Sequence, residues 1–469
     1  MTDSNASPRA SWPDYRAVWR WHFYAGLLCT PFVILLSITG AIYLFKPQID
    51  AWVEAPYDHV ERSGTVALPS EQVAAAVAAF PGSTPTGYEL PVTDQAAPRV
   101  LVRDGGETMR VYVHPDTRAV LHSVPEADRF LRQIFRLHGE LLMGDRGSNI
   151  VELAASWTII MILTGLYLWW PRNARGLGGV LYPRLRKGRS IFWRDIHSVT
   201  GIWISTLALF LLFTGLPWAK FWGTYFKSVR EWTGTAVAQQ DWTVGGDRSG
   251  AGRSGGGGGG EHSGHGGGGG RGGRGGGPSR PVDLAGFDVV AAAVRPLDLP
   301  PPVVIAPPSG SSENWTAKSM IANRPRRVNL VVNGRTGEIV SREDFRDRHW
   351  VDRVVGTGIA AHEGQLFGWV NQLLGLLAAV GLVLLSVSGV VMWWRRRDVG
   401  ALGAPKVLLS PRWSLGLVTL IGLLAALLPL FGASLLLVAG LERVCLRRIP
   451  RVRDWLGLGE PSRPVEAAA

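Results

Sequence analysis

Two stretches decide the fold: "WHFYAGLLCTPFVILLSITG" (21–40) and "IHSVTGIWISTLALFLLFTG" (196–215). Neither contains Asp, Glu, Lys or Arg. As a helix at about 1.5 Å per residue, each is long enough to cross a hydrocarbon layer of roughly 30 Å. They also match each other. His22 is followed by Gly26 at four residues and by Thr39-Gly40 at 17 and 18. His197 is followed by Gly201 at four and by Thr214-Gly215 at 17 and 18.

A second matched pair lies downstream of each. "LHGELLMG" (137–144) leads to Gly165 and Trp169-Trp170, at 27, 31 and 32 residues after His138. "AHEGQLFG" (361–368) leads to Gly389 and Trp393-Trp394, at the same offsets from His362. The apolar runs 23–45, 150–170, 198–218 and 370–394 therefore follow a repeating order. The expected fold is an α-helical polytopic membrane protein. A tandem duplication of membrane helix, periplasmic α+β module and membrane helix forms a four-helix core. A fifth C-terminal membrane segment is added to it.

The domain boundaries follow. Residues 1–45 hold the N-terminus and first span, 46–137 the first module, and 138–170 an interfacial segment and the second span. A loop at 171–194 precedes the third span at 195–220. Residues 221–361 hold the second module, and 362–394 an interfacial segment and the fourth span. A loop at 395–412, the fifth segment at 413–442 and a basic tail at 443–469 complete the chain. From His138 to Trp169 a continuous helix would measure about 46 Å, too long for one crossing. "MGDRGSN" (143–149) is therefore expected to break it, with Gly144 and Gly368 at matched breaks.

The net charge of +12 invites a nucleic-acid reading. However, the basic residues flank the spans, where they set topology, so no nucleic-acid partner is expected. Loop 171–194 carries Arg172, Arg175, Arg184, Arg186, Lys187, Arg189 and Arg194; loop 395–412 carries Arg395, Arg396, Arg397, Lys406 and Arg412. Both are expected in the cytoplasm with the N-terminus, and 46–149 and 219–369 in the periplasm of a bacterial inner membrane. The first run is expected to be an uncleaved anchor. Cys29 and Cys445 are too few for a disulfide framework or a Cys-based metal site. For the fifth run, 414–441, one crossing exports Arg443, Arg447, Arg448, Arg451 and Arg453. A hairpin turning at Pro429 keeps them inside, but 28 residues is short for two full crossings. One crossing is the expectation.

"VYVHPDTRAVLH" (111–122) and "LVVNGRTGEIVS" (330–341) both read as strand, turn, strand. "PSEQVAAAVAAF" (69–80) and "DLAGFDVVAAAV" (283–294) read as the helices that precede them. Between the modules, 245–277 holds 21 glycines in 33 residues and is expected to be a tether dispensable for folding. His262 and His265 within it are a loose metal-binding alternative.

The four histidines near spans are the four that the repeat aligns. His22 and His197 begin the helices that enter from the cytoplasm; His138 and His362 precede those that enter from the periplasm. Two imidazoles at each face suit six-coordinate haem iron, and helical bundles build cofactor sites from facing helices. The expected cofactors are two bis-histidine b-type haems, with His22, His138, His197 and His362 as axial ligands, His22 paired with His197 and His138 with His362. No Cys-x-x-Cys-His occurs, which excludes covalent attachment. A zinc site is a rival, although zinc wants three or four ligands and only Glu140 and Glu363 lie near the outer pair. A proton relay is another, although the central parts of the spans carry no Asp or Glu. Arg20, Arg136 and Arg194 are candidates to pair with haem propionates or ordinary interfacial charges. The glycines suit either a close macrocycle or helix packing. The tryptophan pairs read as an aromatic belt among membrane lipids.

"WRWHFYAG…SITG", "LHGELLMGDRG…LTGLYLWWPR" and "FWRDIHSVTGIW…LFTG" together resemble the PepSY-associated transmembrane proteins, over roughly residues 15–450. "VYVHPDTRAVL" resembles their PepSY modules. The resemblance implies haem ligation by His22, His138, His197 and His362 and electron transfer to periplasmic ferric iron, as in ferric-siderophore reductases. The acceptor would be a ferric siderophore or another ferric chelate. No dinucleotide fingerprint follows a strand and opens a helix, so the donor would be quinol or a cytoplasmic reductase. The same resemblance implies a rival: a non-enzymatic, membrane-anchored regulator that binds or inhibits peptidases.

Overall fold

The computed structural model describes residues 13–172, 176–235, 282–308, 312–405 and 414–458. The glycine-rich insert 245–277, with His262 and His265, lies outside the described residues. In chain order the helices are α1 (Tyr15–Leu44), α2 (Lys46–Asp58), α3 (Pro69–Ala79), α4 (Phe130–Glu140), α5 (Asp145–Trp169), α6 (Arg189–Gly215), α7 (Lys220–Trp232), α8 (Ala285–Val294), α9 (Trp350–His362), α10 (Trp369–Arg396), α11 (Leu415–Leu427), α12 (Pro429–Leu441) and α13 (Pro450–Leu456). The strands are β1 (Thr84–Glu89), β2 (Arg99–Asp104), β3 (Glu107–Val113), β4 (Val120–Pro125), β5 (Val303–Ala306), β6 (Asn314–Ser319), β7 (Val328–Asn333) and β8 (Ile339–Asp344). Helices α1, α5, α6, α10 and the stretch Pro429–Leu446 are long and apolar enough to cross a membrane. The chain is a polytopic membrane protein.

The chain folds as two compact units. The first holds α1 as far as Ile38, α5 from Asn149, α6, α10 from Leu376, and the described helices that follow. Asp14 starts α1 by accepting the Ala17 amide at 2.8 Å, an N-terminal cap. The helix therefore begins before the apolar run, and His22 sits two turns inside it rather than at its mouth. Ile162 of α5, Ile204 and Ala208 of α6, and Leu382 of α10 pack into one cluster. The fifth run is not one helix. Pro429 has no amide hydrogen for the ladder and its ring collides with the preceding turn. The helix ends at Leu427, Leu428 takes φ −125° and ψ 77°, and α12 starts with Pro429 at its first position.

The second unit holds Thr39–Ser148 and Pro217–Gly375. Its centre is one eight-stranded antiparallel sheet of order β4-β3-β2-β1-β5-β6-β7-β8. The two segments read as separate small modules thus share a sheet, joined where Tyr88 faces Ile305 and Glu89 faces Val304. The strand order is symmetric about that junction. Alternation in β7 (Val328, Leu330 and Val332 in) puts its apolar side chains under α3 and α8, beside Val73, Tyr88, Phe287 and Val290. Asp288 of α8 accepts both the amide (2.7 Å) and the hydroxyl (2.6 Å) of Ser70, tying α8 to the first turn of α3.

Both helix breaks expected from the sequence are present. Between α4 and α5 the backbone turns left-handed at Leu141, Leu142 and Gly144, with φ of 51°, 58° and 60°. Between α9 and α10 it does so at Gly364 (75°) and Gly368 (63°). Matched glycines stand where positive φ is required.

Candidate functional site: two histidine pairs

In the first unit, α1 and α6 bring His22 and His197 together, with ring centroids 6.3 Å apart and planes at 84°. Each ring is held by a neighbouring helix. The Nδ1 of His22 lies 2.9 Å from the Met161 carbonyl and 3.3 Å from the Thr164 hydroxyl, both on α5. The Nδ1 of His197 lies 3.1 Å from the Leu385 carbonyl and 3.1 Å from the Ser388 hydroxyl, both on α10. A carbonyl only accepts, so Nδ1 carries the proton and donates. The lone pair is then on Nε2, as a metal-ligating imidazole requires.

Glycines make the approach possible. A Cβ on Gly165 would stand 3.0 Å from Cε1 of His22, and one on Gly389 would stand 3.5 Å from Cε1 of His197. In each case the Nδ1–Cε1 edge of the ring lies against a helix face without side chain.

In the second unit, His138 in the last turn of α4 meets His362 at the end of α9, with centroids 6.5 Å apart and planes at 81°. Thr39 Oγ1 shares a hydrogen bond with Nδ1 of His138 at 2.9 Å, and a Cβ on Gly40 would be 3.2 Å from Cε1 of His138. The Trp218 ring stands edge-on to His362 at 5.9 Å. Glu140 and Glu363 are both buried near this pair in sequence. Burial pushes the Glu140 carboxyl above its ordinary range, against the opposing pull of Arg136 and Arg132.

The residues fit haem. Two metal–nitrogen bonds of about 2 Å, with about 1 Å from each nitrogen to its ring centre, put the centroids of an axial pair roughly 6 Å apart. Both pairs have that spacing. Among the described residues no three His, Cys, Asp or Glu side chains gather closely enough to hold a metal ion, so zinc lacks its ligand set.

The candidate propionate partners differ in their engagements. Arg194 donates twice to Asp195, which also pairs with Arg184 and is fully buried. Arg20 donates to the Pro405 carbonyl at 3.0 Å and lies over Tyr24. Arg136 buries its Nε without a hydrogen-bond partner among the described residues, which makes it the best placed for an anionic group. The tryptophan pairs repeat their geometry: Trp169 donates to Val180 and Trp393 to Leu402, and each stands edge-on to its neighbour.

Sequence reading missed Thr164, Ser388 and Trp218. A signal for the first two existed, because a hydroxyl residue stands 26 positions after His138 and again after His362. Trp218 had no such mark.

The model of the family described as PepSY-associated TM region matches residues 19–396, a span that contains all four histidines. No curated protein matches the chain. The chain belongs to the PepSY-associated TM region family.

Proposed function

We propose that this chain conducts electrons through two bis-histidine haems, across a bacterial inner membrane, to ferric iron in the periplasm. The observation that carries the reading is the recurrence of one arrangement: two near-perpendicular imidazole pairs with centroids 6.3 and 6.5 Å apart. His22 and His197 would hold one haem and His138 and His362 the other. Haem so bound supplies one-electron transfer. Met161, Thr164, Leu385 and Ser388 fix the tautomer and orientation of the first pair, and Thr39 orients His138. Arg136 offers a cation to a propionate. One electron passed to a ferric siderophore or other ferric chelate yields ferrous iron, which such ligands hold far more weakly. A quinol or a cytoplasmic reductase supplies the electron.

The architecture behind this reading is a tandem duplication with its modules in the periplasm and its N-terminus in the cytoplasm. The symmetric strand order supports it, as do the matched partners of His22 and His197. The charge asymmetry of the loops supports the orientation.

The test is a purified preparation made with ample haem supply. Two haems per chain and a reducible Soret band are expected. A colourless, haem-free protein overturns the conduit and favours the rival reading, a non-enzymatic membrane-anchored regulator that binds or inhibits peptidases.

A further inference from the structure

The fifth apolar stretch lies beyond the residues matched by the family. Its first arm, α11, has 13 residues, about 20 Å at 1.5 Å per residue and short of the roughly 30 Å of a hydrocarbon layer; the second, α12 with its helical continuation, runs 18 residues from Pro429 to Leu446. The arms fold onto each other at Leu428, where a Cβ on Gly432 would stand 2.8 Å from that of Ala425.

Two sets of contacts fix where this stretch goes. Just past the bend, the Phe431 ring meets Trp157 edge-on at 5.0 Å, and Trp157 Nε1 donates to Ser434 at 3.0 Å. Trp157 is the middle residue of the 25-residue helix α5, so the bend reaches halfway along a membrane-crossing helix. The far end then comes back. The Leu402 amide, ahead of the stretch, donates to the carbonyl of Trp455, beyond it, at 2.9 Å. The next carbonyl, of Leu456, accepts the hydroxyl of Tyr24 on α1. A chain whose two ends meet at one point has not crossed the membrane between them.

We propose that α11 and α12 form a re-entrant hairpin that dips to the middle of the bilayer and returns, and that α13 straps the end of α1 that carries Arg20 and Tyr24. The first arm is too short to cross on its own, apolar residues of both arms (Leu423, Leu436, Leu437) are exposed as a lipid-facing surface requires, and the return is tied by the Leu402–Trp455 backbone hydrogen bond and by the Tyr24 hydroxyl. The hairpin also removes a charge anomaly. Arg443, Arg447, Arg448, Arg451 and Arg453 then lie on the same side as the arginine-rich loop between α5 and α6, in keeping with the rule that basic loops share one side. The proposal stands whether or not haem is bound.

The test uses the full chain in sealed membrane vesicles. Cys445 is exposed and Cys29 is buried, so a membrane-impermeant maleimide reads Cys445 alone. Leu185→Cys and Val92→Cys, both at exposed positions, mark the basic loop and the sheet-bearing unit. Cys445 is expected to label from the same side as Leu185→Cys and from the side opposite to Val92→Cys. Labelling of Cys445 with Val92→Cys overturns the hairpin. A short bis-maleimide should in addition join Leu402→Cys to Trp455→Cys in a chain otherwise free of cysteine. Same-side labelling without that cross-link overturns the strap.

Discussion

Arg230 on α7 and Asp352 on α9 form a two-point ion pair in the interior of the sheet-bearing unit. Nη1 meets Oδ1 at 2.7 Å and Nη2 meets Oδ2 at 3.0 Å, with the side chains 2% and 7% exposed. The same guanidinium donates to the Thr235 carbonyl from Nε and Nη2. Helix α9 ends at His362, so the pair sets where that histidine stands.

Removing one partner of such a pair leaves a buried charge unmatched and costs about 3–5 kcal/mol. Arg230→Gln and Asp352→Asn should each lower the thermal unfolding temperature of the detergent-solubilised protein clearly. Arg230→Lys should not restore it, because an ammonium cannot make the planar two-point contact. An unchanged unfolding temperature in both variants would count against the ion pair as a structural lock.

Much of this was legible in the sequence, and the reason is repetition. The residues after His22 and His197, and those after His138 and His362, recur at the same offsets, and that matched spacing marks the four histidines in the sequence. The strands β3 and β4, and β7 and β8, announced themselves by alternation around a turn. What was not legible depended on contacts distant in sequence. Nothing in "TPTGYE" or "VVIA" says that Tyr88 will face Ile305 and fuse two modules into one sheet. The division of the fifth run at Pro429 was legible only as one of two readings. The return of its end shows only in the contact of Leu402 with Trp455.

The charged network beside the sheet gives the second unit a pH dependence. Arg99 pairs with Glu54 and Asp58, Arg110 with Glu89 and Glu126, and Arg129 with Glu54 and Glu126. Burial alone would raise the carboxyls of Glu54 and Glu126. The surrounding arginines outweigh it and hold both below the ordinary range: Arg129, Arg110 and Arg99 around Glu54, and Arg110 and Arg129 around Glu126. A carboxyl lowered on folding adds stability that is complete above its unfolded value of about 4.3 and is lost as pH falls through its folded value. Glu140, raised by burial, acts in the opposite sense but is one group against two. The unfolding temperature should therefore fall as pH drops below about 4.3, and less steeply in Glu54→Gln. A wild-type profile that stays flat to pH 3 would show that the network is not linked to folding.

Gly165 is a test of packing against His22. A Cβ there would stand 3.0 Å from the ring, whereas one on Gly201 would meet Leu385 at an ordinary 3.7 Å. Gly165→Val should displace His22 and disturb the optical signature of the haem proposed for His22 and His197. Gly201→Ala should leave it unchanged. Equal effects, or none from Gly165→Val, would remove the glycine from the account.

The pairing itself makes the sharpest prediction. His22 and His197 are 6.3 Å apart in one unit, and His138 and His362 are 6.5 Å apart in the other. If each pair holds one haem, His22→Ala and His197→Ala should remove or convert the same spectral component, and the double variant should do no more than either single one. His138→Ala and His362→Ala should act likewise on the other component. Either class should stop reduction of periplasmic ferric chelates, because conduction in series fails at any break. Haem stoichiometry and low-temperature absorption spectra of the four single variants and two doubles read this directly. Loss of one shared component by His22→Ala and His138→Ala would mean that ligation follows each half of the chain rather than the pairs seen here. Retention of both components in all four variants would leave the imidazoles as packing groups, held by Met161, Leu385 and Thr39 for structure alone.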